Sequence, residues 1–356
     1  MSFRRRSAIS AAVIVSAALA ALSAQAEAFG VGASLASPSF PSSVSAAEGM
    51  VAWAAGSGSG HRFEIVVRRG THEHALSATS AVGWIDGVKL GSDSHGHAIV
   101  VYSRCPHSPF AAANVGSAGT DGCRLWWAPT SGGSAHRIVA APTDTNIGLS
   151  EHGVVVFAVQ PNTADQHQPA RIETAHLTGT SAHALPVPTP DGATIDDISA
   201  DGSEVAFSEA TESGANLDIS QIWLDDGATA PELIARISSD GEALDDSEQF
   251  FDGLTLTSEF VYAFEYSQDG IVPPVASQLE QIALPGLATL MAPWAPSAPL
   301  HSDGINAAAF DPSNGRLVLD LFSAQLEFSS PSASCSTHAG SARGCPVVQS
   351  ETIAFG

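Results

Sequence analysis

Six times along the chain, at intervals of about fifty residues, a polar turn leads into a β-branched run ending in an aromatic or large apolar residue. The clearest copy runs from Ile198 through Asp201-Gly202 to Val205-Ala206-Phe207-Ser208. The others centre on Val51-Ala52-Trp53, Val100-Val101-Tyr102, Val155-Val156-Phe157, Val261-Tyr262-Ala263-Phe264 and Leu317-Val318-Leu319. A fixed period of this length marks a repeat architecture, and four strands per period make each copy one blade of a β-propeller. The expected fold is all-β: a six-bladed propeller with four-stranded antiparallel blades, five or seven blades being the fallback.

The fourth copy shows the strand order. Thr194–Ser199 reads as strand a, Glu204–Ser208 as b, Gln221–Leu224 as c and Glu232–Ile234 as d, with Asp-Gly pairs supplying the turns. Alternation along each strand sends successive apolar side chains to opposite neighbouring blades. In the last copy little chain remains for strand d. Either Glu351–Phe355 supplies it, or the segment around Phe29–Leu35 closes the ring, which would leave no open edge.

Arg4-Arg5-Arg6, an apolar run from Ala8 to Leu22 and Ala24-Gln25-Ala26 read as a signal peptide over residues 1–26, with one propeller domain over 27–356. The run is short for a membrane span of about 20 residues, so cleavage is expected rather than anchoring. No second apolar run spans a bilayer. The chain is therefore expected to be secreted or periplasmic. The formal charge is −23, and without the leader's three arginines it is −26, from 11 basic and 37 acidic residues. Such a surface repels nucleic acid and anionic lipid and suits cations or basic partners, or simply solubility. A monomer is expected, with a protein or other extracellular ligand as partner.

In an exported chain the four cysteines are expected to form disulfides. Position favours Cys105–Cys123 and Cys335–Cys345, each within one repeat and each between strands b and c. The spacings are not those of a zinc ribbon.

Ser199-Ala200-Asp201-Gly202 followed by Val205-Ala206-Phe207-Ser208 resembles the TolB-type propeller repeat, which runs roughly Ser-Pro-Asp-Gly and then Ile-Ala-Phe-Ser. Asp311-Pro312-Ser313-Asn314-Gly315 before Leu317-Val318-Leu319 is a looser version. The resemblance implies a secreted or periplasmic propeller of a broad, WD40-like family with many binding scaffolds. The motif marks a blade and carries no catalytic residue across. TolB itself has an α/β domain before its propeller; here about fifteen residues separate Glu27 from the first repeat, so that domain is expected to be absent.

The sequence holds no Gly-x-Ser-x-Gly elbow, no His-Glu-x-x-His, no P-loop and no Asp-x-Asp-x-Asp-Gly calcium loop. Two His-x-His pairs, His72/His74 and His95/His97, have chelating spacing if they lie on a strand. They fall at a c–d turn and an a–b turn, where solvated loop histidines are the plainer reading. Carboxylates crowd the stretches leading into strand a: Asp86, Asp144, Asp191, Asp196, Asp197, Asp245, Asp246, Asp252 and Asp303. Read as d–a connections, these gather at one mouth of the channel. Asp196, Asp252 and Asp303 are candidate Ca2+ ligands there, Ca2+ being the one cofactor the pattern admits. Asp86, Asp144, Asp197, Asp245 and Asp246 are candidate binding residues. A facing pair would alternatively serve a carbohydrate hydrolase or lyase as acid and base, and the plainest reading is solvated acidic loops. The stretch Ile237–Asp252 reads as an acidic loop whose Phe250 and Phe251 tuck under the blade or form a partner-binding edge. Three functions follow: a non-enzymatic binding scaffold, which is favoured, a carbohydrate-active propeller enzyme, and a structural envelope component.

Overall fold

The computed structural model describes residues 33–36, 43–57, 62–106, 123–138, 146–150, 152–159, 170–185, 187, 193–213, 217–227, 230–238, 248–268, 277–284, 304–322 and 347–352. Among them there is no helix. Strand β1 (Ala33–Ala36) precedes blade I, which consists of β2 (Val44–Ala47), β3 (Met50–Ser57), β4 (Arg62–Arg69) and β5 (His72–Val82). Blade II is β6 (Trp84–Ser92), β7 (Ala98–Cys105), β8 (Arg124–Pro129) and β9 (His136–Arg137). Blade III is β10 (Ile147–Leu149), β11 (Val154–Val159), β12 (Arg171–His176) and β13 (His183–Ala184). Blade IV is β14 (Thr194–Asp201), β15 (Glu204–Ser213), β16 (Leu217–Asp225) and β17 (Glu232–Ser238). Blade V shows β18 (Glu248–Leu256), β19 (Phe260–Gln268) and β20 (Ser277–Ala283); blade VI is β21 (Gly304–Asp311), β22 (Arg316–Phe322) and β23 (Val347–Thr352). All pairings are antiparallel. The protein is a six-bladed β-propeller.

The ring is closed in two ways. The six a strands touch in the cycle β2, β6, β10, β14, β18, β21 and back to β2. Strand β1 also pairs with β23 (Ala33 opposite Ser350, Ser34 opposite Gln349), so the N-terminal segment supplies the fourth strand of the last blade. Of the two closures the sequence allowed, this is the one observed; Glu351 and Thr352 end strand c instead.

Six apolar cores lie at the six blade junctions, and the alternation of strand b explains them. Val51, Trp53 and Ala55 face blade VI, while Ala52 and Ala54 face blade II. Val155 and Phe157 face blade II, while Val156 and Ala158 face blade IV. Both sides of a central strand are therefore buried, which is why the b strands read as continuous apolar runs. Blade V is out of phase. Its aromatics Tyr262 and Phe264 pack toward blade VI, whereas Trp53, Tyr102, Phe157 and Phe207 all face the preceding blade.

The Cys105–Cys123 disulfide joins the end of β7 to the start of β8, in the b–c connection. The Cys335–Cys345 pair and residues 1–26 lie outside the described residues. The stretch Ile237–Asp252 differs from its reading as a single loop. Strand β17 extends to Ser238 and β18 starts at Glu248, so Phe250, Phe251 and Asp252 belong to a strand. Phe251 is buried in the blade IV–V core.

Candidate functional site in the central channel

Strand a is the inner edge of each blade, so its channel-side N–H groups have no strand partner and need another acceptor. Side chains of the preceding blade supply it. Ser43 Oγ accepts from Val88 N–H and Ser45 Oγ from Leu90 N–H, each at 2.9 Å. Two junctions on from blade III, Asp197 Oδ2 accepts from Leu254 N–H at 2.7 Å and Ser199 Oγ from Leu256 N–H at 2.9 Å. The spacing is the same on both strands, so Asp197 stands where blade I has Ser43. Asp252 continues the series, accepting from its neighbour Gly253 and from the Ala308 N–H of blade VI. Asp311 Oδ2 accepts from Gly49 N–H of blade I at 2.7 Å.

Register shifts mark β-bulges in four a strands, at Ile85/Val88, Ile195/Asp197, Asp252/Thr255 and Ile305/Ala307. A bulge re-aims side chains that strict alternation would fix. At Gly253 it requires φ +64°, and a Cβ there would lie 2.7 Å from the Ala308 carbonyl oxygen. A second close approach occurs at Gly148, where a Cβ would meet Ile198 Cγ2 at 3.0 Å. The inner strands of blades III and IV are thus drawn together, and Lys89 of blade II reaches past blade III to Asp197. Lys89 Nζ lies 3.1 Å from Oδ1 and 3.4 Å from Oδ2 of Asp197. The side chains are 21% and 9% exposed, so the pair is largely shielded from bulk water.

Asp252 completes the cluster. Burial, and then the like charge of Asp197, push its carboxyl up to about 7, against the amides of Gly253 and Ala308 and the Lys89 ammonium. In blade IV, Glu209 is buried in β15 and accepts from Trp223 Nε1 at 2.8 Å; burial raises its carboxyl as well. Two carboxyl groups raised in this way are the raw material of acid chemistry.

Of the carboxylates singled out in the sequence, Asp86 and Asp252 lie within a strands and not in the connections before them, while Asp196 and Asp197 lie in the a strand read over Thr194–Ser199. Asp197 and Asp252 come together; Asp196 accepts from Thr194 Oγ1 at 3.2 Å. Asp144, Asp191, Asp245, Asp246 and Asp303 lie outside the described residues. Lys89 has no signal in the sequence, because its partner is 108 residues away.

All eight described histidines sit on the face formed by the a–b and c–d turns, and all in blades I to III. They are His72 and His74 in blade I, His95, His97 and His136 in blade II, and His152, His176 and His183 in blade III. Every one is exposed. His74 Nε2 contacts the Thr130 carbonyl at 2.7 Å, tying blade I to blade II, and His136 stacks on Trp127 at 4.8 Å. His95 and His97 lie in the β6–β7 turn as read from the sequence, but they share it with Asp93, which the His-x-His spacing alone did not reveal.

No family model and no characterised protein sequence matches the chain. Solved structures similar to it include a sialidase of Trypanosoma rangeli (7% identity, TM-score 0.47, 90% of this chain and 55% of that one). A gluconolactonase of Xanthomonas campestris is similar at 12% identity and TM-score 0.46, over 89% of this chain and 87% of that one. A puromycin-hydrolysing peptidase of Mycobacterium tuberculosis is similar at 13% identity and TM-score 0.43, over 84% of this chain. The chain spans 49% of that peptidase's length and 43% of a similar prolyl endopeptidase's.

Proposed function

We propose that the protein is an exported, non-enzymatic propeller of the TolB-like type that binds a protein or another extracellular ligand through its exposed turns. The observation that carries this reading is the engagement of the channel carboxylates. Asp197 holds the Leu254 and Ile198 amides and Lys89, and Asp252 holds the Gly253 and Ala308 amides. Both are committed to joining blades, and Lys89 already supplies the positive charge that a cation would bring to Asp197. The surface that differs between blades is the turn face with its histidines. The TolB-like part of the proposal rests on Ser199–Gly202 and Val205–Ser208, which form the β14–β15 hairpin. Export fits with the Cys105–Cys123 disulfide, and no described helix is long and apolar enough to cross a membrane.

A second reading, a carbohydrate hydrolase or lyase, is favoured by one feature: Asp252 is raised to about 7 beside Asp197, as an acid next to its partner carboxylate would be. The test is a screen of the purified protein on aryl glycosides, polysaccharides and uronic-acid polymers. The binding reading expects no turnover. Turnover that Asp252→Asn abolishes while the melting temperature is kept would establish the enzyme instead.

A further inference from the structure

We infer that the β6–β7 turn of blade II is a binding site for a borderline divalent cation of the Zn2+ class, held by Asp93, His95 and His97. The donor atoms of these three side chains all lie within 4.8 Å of one another. Asp93 Oδ2 is 3.2 Å from His97 Nδ1 and 3.9 Å from His95 Nδ1. Ligands on one tetrahedral zinc, with bonds of about 2.0–2.2 Å, stand roughly 3.3–3.5 Å apart. The first pair is joined by a hydrogen bond at 3.2 Å, close to that separation, so a cation that displaces the shared proton needs little movement there; His95 Nδ1, 3.4 Å from Ser94 Oγ, comes in by a rotation of its exposed ring.

The turn is built to present these groups. Asp93 Oδ1 accepts from the His95 and His97 amides at 2.8 and 2.9 Å, which fixes the loop and leaves Oδ2 toward the rings. Asp93 N–H donates to the His97 carbonyl at 2.9 Å and Gly96 N–H to the Asp93 carbonyl at 3.0 Å. Gly96, at φ +79°, lets the chain reverse between the two histidines, whose rings stack with centroids 6.0 Å apart. The two carboxylate oxygens thus divide the work, one ordering the backbone and the other serving as a ligand. The β10–β11 turn packs against the same loop, since a Cβ on Gly153 would lie 3.1 Å from Ser94 N. The loop is supported from blade III and is not a free tip.

Two imidazoles and one carboxylate suit Zn2+, Ni2+ or Cu2+, not the all-oxygen shell of Ca2+. Three protein ligands leave a position for water or for a group from a bound ligand. The site is separate from the channel acids, so it stands or falls independently of the binding reading above.

The test is calorimetric titration of the chelator-stripped full chain with ZnCl2, alongside Co2+ absorption spectroscopy. The expected result is one saturable site, weakened at least about tenfold by His97→Ala and by His95→Ala, with a ligand-field Co2+ band lost in both. Asp93→Asn, which keeps an oxygen for the loop amides, should weaken binding with little change in melting temperature. His72→Ala/His74→Ala, removing the other His-x-His pair, should leave the site intact. Absence of saturable binding up to about 1 mM Zn2+, or binding indifferent to both His95→Ala and His97→Ala, would overturn the proposal.

Discussion

Asp252 is the residue whose environment is most at odds with its chemistry. In the unfolded chain its carboxyl ionises near the ordinary value of 3.8, and in the fold near 7. Well below pH 3.8 both states are protonated and the residue carries no penalty. As the pH rises toward 7 the unfolded state sheds its proton and the folded state does not, so stability falls. The gap amounts to at most about 4 kcal/mol, lost between roughly pH 4 and 7. Asp252→Asn removes the titration while keeping an oxygen for the Gly253 and Ala308 amides. Its urea midpoint should therefore fall less than the wild type's between pH 4 and 7.5. Parallel midpoints in the two proteins would mean that Lys89 and the amides already hold Asp252 ionised.

At the scale of elements, the inner strands depend on single side chains from their neighbours. Ser45 serves Leu90 N–H and Ser199 serves Leu256 N–H, so alanine at either position orphans a shielded amide. Each of Ser45→Ala and Ser199→Ala should cost about 1–3 kcal/mol in denaturant unfolding, far more than an exposed serine such as Ser131. Losses below about 0.5 kcal/mol would show that water replaces the strap. This layer was only half legible in the sequence. The strands themselves were plain, because β-branched runs between Asp-Gly turns leave few alternatives, and the b–c disulfide followed from the positions of Cys105 and Cys123. The bulges were hidden, because Ile85-Asp86-Gly87-Val88 and Phe251-Asp252-Gly253-Leu254 carry turn residues inside strands. The sequence pattern accordingly places Asp252 in a connection, whereas in the fold it lies opposite Phe264 within the sheet. The phase of blade V was hidden as well. Phe264 aligns with Phe207 by chemistry, but in β19 the small side chains Val261 and Ala263 take the blade IV side and the aromatics Tyr262 and Phe264 take the blade VI side.

For the whole molecule, the shared cores mean that no blade is complete alone, since each supplies one wall of two junctions. Closure is then a property of the ring, and it runs through β1, which joins the N-terminal segment to β23 and so to β22 and β21. Removing β1 exposes the outer edge of blade VI and frees β23, whose only other strand partner is β22 among the described residues. Three paired positions, at about 1 kcal/mol per hydrogen bond, correspond to roughly 3 kcal/mol. For a protein of this size, with an unfolding entropy of about 2.1 cal/mol/K per residue, that lowers the melting temperature by about 4 °C. A chain beginning at residue 37 should therefore melt earlier by that amount, with blades V and VI losing hydrogen-exchange protection before blades II and III. A glycine-serine segment of equal length in place of 33–36, which keeps the chain but removes the side chains, should recover part of the loss because a backbone strand can still pair. If the truncated chain melts with the full-length protein and exchange is uniform around the ring, the a-strand cycle alone closes the propeller.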